Sequence, residues 1–396
     1  MITQLSEESK ARLKDGICNQ TPVRGLTHSF YRYPARFSPE FVRAVISEFT
    51  QEGDIVFDPF MGGGTTLVEA MALGRNGLGT DISSLATFIA QVKTSVFSDK
   101  HLSVVERWVD RLLDRLTVAT SIPISPEWIR RDYQRNINDR ETWRIKKLLE
   151  IGLNQLSDLP SRKQQRLARC ILLKTGQWAF DCRSAIPTTS DFQEQIALDA
   201  AEILRGATDF AKQVEKFQPD PWARCIHRSA VGVETEPEVV RSGVPALILT
   251  SPPYPGLHVL YHRWQVRGRR ETPAPFWIAG TLDGDGASFY TFGDRKQKDL
   301  NRYFENLQST FASIAQVAGE KTMIVQMIAF SDPKQQLPRY LDTMDAAGFQ
   351  ETHVSIAADD PHGRVWRDVP GRKWYASQLG STGGSREVVL FHRRRV

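Results

Sequence analysis

The sequence predicts an α/β fold: a doubly wound, mostly parallel sheet with a helical inserted domain. Residues 53–58 form a short apolar run that ends in an acid, turns on glycines and leads into an apolar helical pattern at residues 65–73. A second short strand pattern follows at residues 77–81. Strand, glycine turn, helix and strand make up the first half of a doubly wound sheet. Residues 84–215 then show helical spacing, and strand patterns return only after them.

The remaining elements follow in chain order. A helix at residues 4–13 lies in a polar stretch, 1–30, that is predicted to be a loosely held arm, and residues 39–49 place apolar side chains on one helical stripe. Beyond the insertion we predict strands at 223–227, 245–249 and 321–330, helices at 298–318 and 337–348, and a closing antiparallel pair at 352–357 and 386–392. The expected organisation is a discontinuous catalytic domain, 1–95 and 218–396, interrupted by a helical insertion, 96–217.

Composition limits the class of protein. The 396 residues carry 51 Lys and Arg against 46 Asp and Glu, a net charge of +5, and 41% of them are apolar. This balance favours a folded protein with a sizeable core over a disordered chain. No apolar run approaches the roughly 18 residues of a membrane span, and the first residues lack a signal-peptide pattern. The four cysteines show no CxxC spacing, so we expect a soluble protein of a reducing cytoplasm.

The first candidate site is the glycine turn Asp58-Pro-Phe-Met-Gly-Gly-Gly-Thr-Thr66. Bare glycine backbone at the start of a helix lets a ligand approach closely. The turn is neither a P-loop nor a dinucleotide fingerprint, because Leu67 and Val68 stand where a lysine is needed and Leu67 replaces the last small residue. Asp81 ends the second strand, where an acid typically binds ribose hydroxyls. The alternative interpretation is a structural turn that packs helix on strand.

The second candidate site is the strand end Thr250-Ser251-Pro252-Pro253-Tyr254. Two consecutive prolines fix an extended backbone and leave carbonyls without local helical partners. The result is a rigid, acceptor-rich edge beside an aromatic ring, which suits a planar group that bears an amine. The alternative interpretation is a proline-rich strand end with a packing tyrosine.

Together these residues resemble the S-adenosylmethionine-dependent DNA amino-methyltransferases. The similarity comprises DPFMGGGTT followed by GTDIS, TSPPY at a later strand end, and YRYPARFSP upstream, over about residues 28–95 and 223–396. The Ser-Pro-Pro-Tyr form is most similar to the branch that methylates the exocyclic amine of cytosine. The resemblance implies a Rossmann-like methyltransferase fold with an antiparallel closing strand, S-adenosylmethionine as cofactor, and double-stranded DNA as substrate, with the target base flipped out. It also implies a bacterial restriction-modification setting, with a cognate restriction endonuclease as partner.

The resemblance further assigns roles to residues. The implied cofactor-binding residues are Tyr33, Pro34, Phe37, Asp58, Phe60, Gly62, Gly64, Thr65, Thr66, Asp81 and Ile82. Among them the glycine turn would hold the methionine part, Asp81 the ribose and Ile82 the adenine. The implied catalytic residues are Ser251, Pro252, Pro253 and Tyr254. The Ser251 hydroxyl and the Pro252 carbonyl would accept hydrogens from the amine, and Tyr254 would stack on the base, so that positioning and electrostatics supply the catalysis.

The same residues bear on alternative functions. Methylation of a cytosine ring carbon is excluded, because it needs a cysteine nucleophile, usually after proline, and no cysteine here follows a proline. The histidines show no metal-ligand spacing, so no metal is expected. Adenine stays open as the target, although most adenine enzymes of the family carry Asp or Asn where Ser251 stands. A nucleic-acid-binding protein that retains the fold without activity is the alternative of another class.

Two basic stretches with interleaved aromatic residues are candidate DNA contacts. Residues 128–147 carry seven basic and three acidic side chains, a net of +4, and a second stretch follows the Ser-Pro-Pro-Tyr motif. The candidate arginines are Arg130, Arg131, Arg135, Arg140, Arg144, Arg263, Arg267, Arg269 and Arg270. Phosphate contact is the functional interpretation, and a solvated helix face with ion pairs is the alternative. Another branch of the family carries its target-recognition region where the insertion lies. Residues 280–286 are predicted to be a mobile loop.

Overall fold

The structure is a computed structural model of the chain. It describes residues 2–3, 5–19, 21–33, 36–121, 126–255, 263–268, 270–284, 290–293, 300–354, 356, 360, 362–368 and 386–395. The strands are β1 (Ile2–Thr3), β2 (Ile55–Asp58), β3 (Asn76–Asp81), β4 (Ala223–His227), β5 (Leu247–Thr250), β6 (Trp264–Val266), β7 (Arg270–Thr272), β8 (Met323–Ala329), β9 (Phe349–Glu351), β10 (His353–Val354), β11 (Val365–Asp368) and β12 (Arg386–Arg394). The helices are α1 (Glu7–Cys18), α2 (Pro39–Phe49), α3 (Thr65–Ala72), α4 (Ser84–Lys93), α5 (Asp99–Arg115), α6 (Pro126–Arg130), α7 (Trp143–Asn154), α8 (Arg162–Phe180), α9 (Thr189–Val214), α10 (Pro237–Ser242), α11 (Ala274–Ala279), α12 (Asn301–Val317) and α13 (Pro333–Ala346).

The main sheet reverses its direction of growth at β2. Its strands lie in the order β4-β3-β2-β5-β8-β12-β11, and β9 also pairs with β12. The pairs from β4 to β8 are parallel, whereas β12 runs antiparallel to both of its neighbours. The chain grows outward from β2 to β4 and then returns to β5 on the other side of β2. Open α/β sheets bind ligands at the carboxyl ends of the strands at such a switch point. The predicted α/β fold is confirmed.

Helices cover both faces of the sheet. Along β5, Leu247 and Leu249 pack toward α1 and α2, while Ile248 between them packs toward α12 and α13. Burial on both faces explains why the central strands are almost continuously apolar. None of the helices in the described part of the chain is both long and apolar enough to cross a membrane.

The helices between β3 and β4 share one core with other parts of the chain. The cluster built by α5, α7, α8 and α9 also contains Phe30 and Tyr31, the buried face of α4, and Trp264 and Phe276 from beyond the Ser-Pro-Pro-Tyr motif. At its other end, α9 packs Phe210 against α3. The core around these helices therefore also contains residues of β6 and α11.

The prediction of a loosely held amino-terminal arm is wrong for the described residues. Helix α1 packs against α2, and its Leu13 and Ile17 are fully buried. A Cβ added at Gly16 would lie 2.8 Å from the Cβ of Ala44, so the two helices meet closely at a glycine. The pattern misled because the rest of α1 is polar and exposed, which leaves only a narrow apolar stripe.

The predicted closing antiparallel pair, residues 352–357 with 386–392, is formed by other residues in the structure. Strand β12 pairs along most of its length with β8, and its end pairs with β9. The backbone N–H of Thr352 still donates to the Phe391 carbonyl at 2.8 Å, but β10 pairs in parallel with β1 instead. Thr352 and Val354 are buried and His353 between them is not. This alternation fits a strand with any partner, so the sequence pattern does not reveal which strand it pairs with.

Candidate active site

The two sequence motifs meet at the side chain of Asp58, where β2 and β5 end side by side. Thr250 Oγ1, one residue before Ser251, donates to Asp58 Oδ1 at 2.8 Å. Thr66 Oγ1, in the first turn of α3, donates to Oδ2 at 2.7 Å, and the Phe60 N–H donates to Oδ1 at 3.1 Å. Burial raises the pKa of Asp58 to about 6 against the opposing effect of these three bonds. Asp58 thus fixes the glycine turn to the end of β5, where the Ser-Pro-Pro-Tyr segment begins.

The glycine turn is packed too closely to carry side chains. Gly62 and Gly64 have φ values of 46° and 76°, in the left-handed region that favours glycine. A Cβ at Gly64 would lie 2.9 Å from the Cβ of Ala90, and one at Gly63 would lie 2.8 Å from the Cβ of Tyr33. The structure therefore places Tyr33 directly against the glycine turn.

Asp81 joins the end of β3 to the same turn. Its Oδ2 accepts from the Gly62 N–H at 2.9 Å, and its Oδ1 accepts from the Ser83 N–H at 2.8 Å. Burial raises the pKa of this carboxyl to about 6, against the effect of both bonds. Each carboxylate oxygen has two lone pairs, so each retains a further acceptor position for a ligand. The next residue, Ile82, accepts from His227 Nε2 through its carbonyl at 3.0 Å.

A buried lysine, which none of the sequence motifs indicates, supports the glycine turn from behind. Lys93 Nζ donates to the Gly63 carbonyl at 3.0 Å, and the residue is 1% exposed. Burial, with a smaller contribution from nearby Arg36, lowers the pKa of Lys93 to about 7. Its position in the last turn of α4 predicts only a favourable interaction with the helix dipole. The contact arises because α4 packs across the turn.

The Ser-Pro-Pro-Tyr segment is held from two directions. Ser251 Oγ donates to Tyr254 Oη at 3.0 Å, and Tyr254 Oη donates to Glu387 Oε1 at 2.9 Å. Tyr303 Oη donates to the Pro253 carbonyl at 2.8 Å. Glu387 and Tyr303 are both buried and were both missed in the sequence, because they come from distant segments. The carbonyl of Pro253 is thereby occupied.

An aromatic wall lies between the glycine turn and this segment. The ring of Phe60 meets the ring of Phe292 edge to face, with centroids 5.5 Å apart. It also lies against the ring of Phe311 in a tilted arrangement, with centroids 6.5 Å apart. Phe292 also packs against Tyr303, at 5.9 Å. Such contacts fix the Phe60 ring, which the sequence assigned to the cofactor pocket.

The other predicted cofactor residues have varied surroundings. Thr65 is buried at the start of α3. Phe37 is buried beside Phe41, with ring centroids 5.3 Å apart, in the cluster beneath α2, so its evident role is in the core. Pro34 lies outside the described residues.

The fold brings the two basic stretches into one surface. Arg267, at the turn between β6 and β7, lies 3.4 Å from Asp139 and 3.1 Å from Glu141. Asn136 Nδ2 donates to the Glu271 carbonyl at 2.8 Å. The arginines of the first stretch are exposed: Arg130, Arg131, Arg135, Arg140 and Arg144. Arg270, 62% exposed in its side chain, lies beside them, 4.0 Å from Asp139. We call this face, residues 127–147 with 267 and 270, the basic surface.

Arg263 has different surroundings from those expected of a DNA contact. Its guanidinium donates twice to Asp283 Oδ2, at 2.8 and 3.1 Å, and its side chain is 19% exposed. Asp283 Oδ1 also accepts from Tyr290 Oη at 2.6 Å, and its N–H donates to Tyr133 Oη at 2.8 Å. These contacts give Arg263 a structural role. Arg269 lies outside the described residues.

The same contacts correct the prediction of a mobile loop for residues 280–284. Besides the bonds of Asp283, the Leu282 carbonyl accepts from Ser84 Oγ at 2.6 Å, at the start of α4. The loop therefore joins the basic surface to the helix that follows β3. The predicted loop residues 285–286 lie outside the described residues.

Comparisons with known proteins agree with the glycine-turn half of this site. Residues 3–91 match the family model described as DNA methylase. The type II methyltransferase M.MjaII of Methanocaldococcus jannaschii is 32% identical over 114 residues, which cover 29% of this chain and 18% of that protein. M.MvaI of Kocuria varians is 39% identical over 87 residues, 21% of this chain and 19% of that protein. The orphan methyltransferase M.BamHII of Bacillus amyloliquefaciens is 45% identical over 53 residues, 13% of this chain and 20% of that protein.

These matches span about a fifth or less of the relatives' own length. The range matched by the family contains Tyr33, the glycine turn and Asp81, whereas Ser251 and Tyr254 lie beyond it.

Proposed function

We propose, from the match of residues 3–91 to the family model described as DNA methylase, that this chain transfers a methyl group from S-adenosylmethionine to an exocyclic amine of duplex DNA. The observation that carries the proposal is the side chain of Asp58, whose hydrogen bonds to Thr66 and Thr250 join the glycine turn to the Ser-Pro-Pro-Tyr segment. A cofactor held by the first would therefore lie beside a base held by the second.

The residues at the switch point fit S-adenosylmethionine. The cofactor supplies an electrophilic methyl group on a positively charged sulfonium. The buried Asp58 favours a positive charge nearby, and the side-chain-free backbone of Gly62 and Gly64 with the start of α3 suits the methionine part. Asp81 keeps acceptor positions for a ribose diol, and Ile82 would lie against the adenine. Tyr33 would close the pocket over the turn, with Phe60, Thr65 and Thr66 lining it.

The chain's own residues then position the amine. The lone pair of an exocyclic amine is delocalised into the ring, so the nitrogen is a poor nucleophile. Ser251 Oγ and the Pro252 carbonyl would accept the two amine hydrogens and favour a tetrahedral nitrogen, while Tyr254 stacks on the base. Tyr303 keeps the Pro253 carbonyl in place. Positioning and electrostatics suffice for this reaction, and no covalent intermediate with the protein is required.

We propose cytosine as the target base, because Ser251 stands where most adenine enzymes of the family carry Asp or Asn. Duplex DNA treated with enzyme and S-adenosylmethionine, then digested to nucleosides, should yield N4-methylcytosine by mass spectrometry. A reaction without cofactor and one with the Ser251→Ala variant are the controls. If N6-methyladenine appeared without methylated cytosine, the target base would be adenine, and the protein would still be a DNA amino-methyltransferase. Absence of cofactor binding would favour a nucleic-acid-binding protein without activity.

Double-stranded DNA is the proposed partner, bound through the basic surface. The names of M.MjaII and M.MvaI as type II methyltransferases support a restriction-modification setting with a cognate endonuclease. M.BamHII is called an orphan methyltransferase, so the alternative setting is a methyltransferase without such a partner. An enzyme with this substrate is expected in the bacterial cytoplasm, at the nucleoid.

Removing two charges from the basic surface should weaken DNA binding and flatten its salt dependence. We expect the slope of log K against log salt, which is negative, to become about 2 units less negative in the double variant Arg131→Ala, Arg135→Ala, because each phosphate contact contributes about −0.9. Fluorescence anisotropy of labelled duplex DNA between 50 and 200 mM salt, about the range in which such contacts matter, measures the slope.

The matched control is Arg12→Ala, Arg395→Ala. These arginines also form surface ion pairs, with Glu48 and Asp345 respectively, and they lie outside the basic surface. Equal slopes for the wild type and the basic-surface variant would mean that residues 127–147 form a solvated structural face and do not contact DNA phosphates.

A further inference from the structure

A directed chain of hydrogen bonds runs from the Ser-Pro-Pro-Tyr segment to the closing strands of the sheet. Ser251 Oγ donates to Tyr254 Oη, and Tyr254 Oη donates to Glu387 Oε1. The other carboxylate oxygen, Oε2, accepts from Arg367 Nε at 2.8 Å and from Arg367 Nη2 at 2.7 Å. Both charged side chains are 8% exposed. The proposed function uses the first two members of this chain and leaves the last two without a role.

Sheet topology brings these distant residues together. Strand β12 is antiparallel, so its first residues lie at the edge where the parallel strands end. Glu387 is paired with Ala329 at the end of β8 and with Arg367 on β11. Tyr254, just beyond β5, reaches across the end of β8 to meet it. Arg367 is itself anchored, because its Nη1 donates to the Ile17 carbonyl of α1 at 3.2 Å.

The chemistry of the four groups gives the chain a fixed polarity. Arginine can only donate, and an ionised carboxylate can only accept. Since Glu387 accepts, the Tyr254 hydroxyl must donate to it, and Tyr254 Oη is left to accept from Ser251. The hydroxyl hydrogen of Ser251 then points toward Tyr254, and this bond uses neither of the two lone pairs of Ser251 Oγ. A serine that must accept a hydrogen from a substrate amine needs this orientation.

We infer that Glu387, held by Arg367, is a positioning residue for methyl transfer. It sets the direction of the Ser251 and Tyr254 hydroxyls so that Ser251 presents an acceptor to the amine, and it fixes the Tyr254 ring that stacks on the base. This inference rests on the proposed function. It adds Arg367 on β11 and Glu387 on β12 to the residues by which the site distinguishes an amine from a group without hydrogen-bond donors.

The variant Glu387→Gln inverts this polarity without changing the shape of the side chain. Arg367 still donates toward the position of Oε2, so it holds the amide oxygen there. The amide NH₂ then faces Tyr254 Oη and donates to it. Tyr254 in turn donates to Ser251, which uses one of the two Ser251 lone pairs and frees the hydroxyl hydrogen, so that this hydrogen competes with the remaining lone pair for the position facing the amine.

The expected result is a single-turnover rate of methyl transfer to duplex DNA that falls about 10- to 100-fold, the order of one charge-assisted hydrogen bond. The dissociation constants for S-adenosylmethionine and DNA should stay within about twofold, because Glu387 contacts neither the glycine turn nor the basic surface. Tyr254→Phe, which removes the hydroxyl link and keeps the ring, should give a similar loss. In the Tyr254→Phe background, Glu387→Gln should cause no further loss.

The matched control is Glu351→Gln. Glu351, on the neighbouring β9, also pairs with an arginine: Arg364 donates one 2.7 Å hydrogen bond to each of its carboxylate oxygens. The variant should lose at least as much thermal stability as Glu387→Gln and keep the wild-type rate. Losses that add up in the double variant, or an unchanged rate in Glu387→Gln, would overturn the positioning role while the proposed function stands. A wild-type protein that binds cofactor but methylates no DNA would overturn the proposed function, and the inference with it.

Discussion

Asp58→Ala is expected to abolish methyl transfer and to weaken S-adenosylmethionine binding by about 100-fold or more. The substitution removes the acceptor for Thr66, Thr250 and the Phe60 N–H. Each donor left unsatisfied in a buried site costs about 1–3 kcal/mol, and the glycine turn regains freedom that the cofactor must then restrict. A negative charge that favours the sulfonium is lost as well. Isothermal titration of the cofactor measures the affinity, and a thermal melt shows whether the variant is folded.

Asp58→Asn separates the charge from the hydrogen bonds. The amide oxygen can still accept from Thr250 and the Phe60 N–H, but the amide nitrogen cannot accept from Thr66. We expect an intermediate loss of cofactor affinity and a smaller loss of stability than in Asp58→Ala. A folded Asp58→Ala protein with wild-type cofactor affinity would contradict the assigned role.

The pH dependence gives a further readout of the same site. The pKa values of Asp58 and Asp81 are both raised by burial to about 6. A raised carboxyl pKa means that the folded state holds the proton more tightly than the unfolded chain. Protonation therefore stabilises the folded state at low pH, and this contribution to the free energy of unfolding is lost as the pH rises from about 4 to about 6. The cation-binding carboxylate forms over the same range. Cofactor affinity of the wild type should therefore increase through about pH 6, and the increase should be smaller in Asp58→Ala.

The glycine turn and the proline strand end could be predicted because their signals are local. A turn that needs left-handed φ values requires glycine, and two adjacent prolines restrict the backbone wherever they stand. The period of the apolar residues then places these segments on strands that end at one edge of a parallel sheet. The meeting of Asp58 with Thr250 follows from that edge, since β2 and β5 are neighbours at the switch point.

The supporting residues could not be predicted because they depend on strand order. Glu387 enters the site only because β12 is antiparallel and lies beside β8, and the alternating pattern of residues 386–394 fits many other pairings. Lys93 is placed by the way α4 packs across the glycine turn, a contact that no helical pattern encodes. Arg263 shows the reverse case, in which a basic stretch suggested DNA contact and Asp283 gave the guanidinium a structural partner.

Tyr254→Ala is expected to lower the single-turnover rate of methyl transfer by about 100-fold or more while leaving cofactor affinity within about twofold of the wild type. Stacking of a base on an aromatic ring is worth about 1–3 kcal/mol, and the variant also removes the hydroxyl that orients Ser251. None of the hydrogen bonds that hold the glycine turn involves Tyr254 in the described part of the chain, so the cofactor pocket should keep its shape.

Tyr254→Phe distinguishes the two contributions of this side chain. The phenyl ring can still stack, so base flipping, followed by the fluorescence of 2-aminopurine at the target position, should resemble the wild type, whereas the rate falls as in Glu387→Gln. In Tyr254→Ala both the flipping signal and the rate should fall. Tyr340→Phe is the control, because it removes a buried hydroxyl bonded to Gln326 at 3.2 Å on another strand of the same sheet. If Tyr254→Ala and Asp58→Ala lost cofactor affinity equally, the division of the site into a cofactor half and a base half would be wrong.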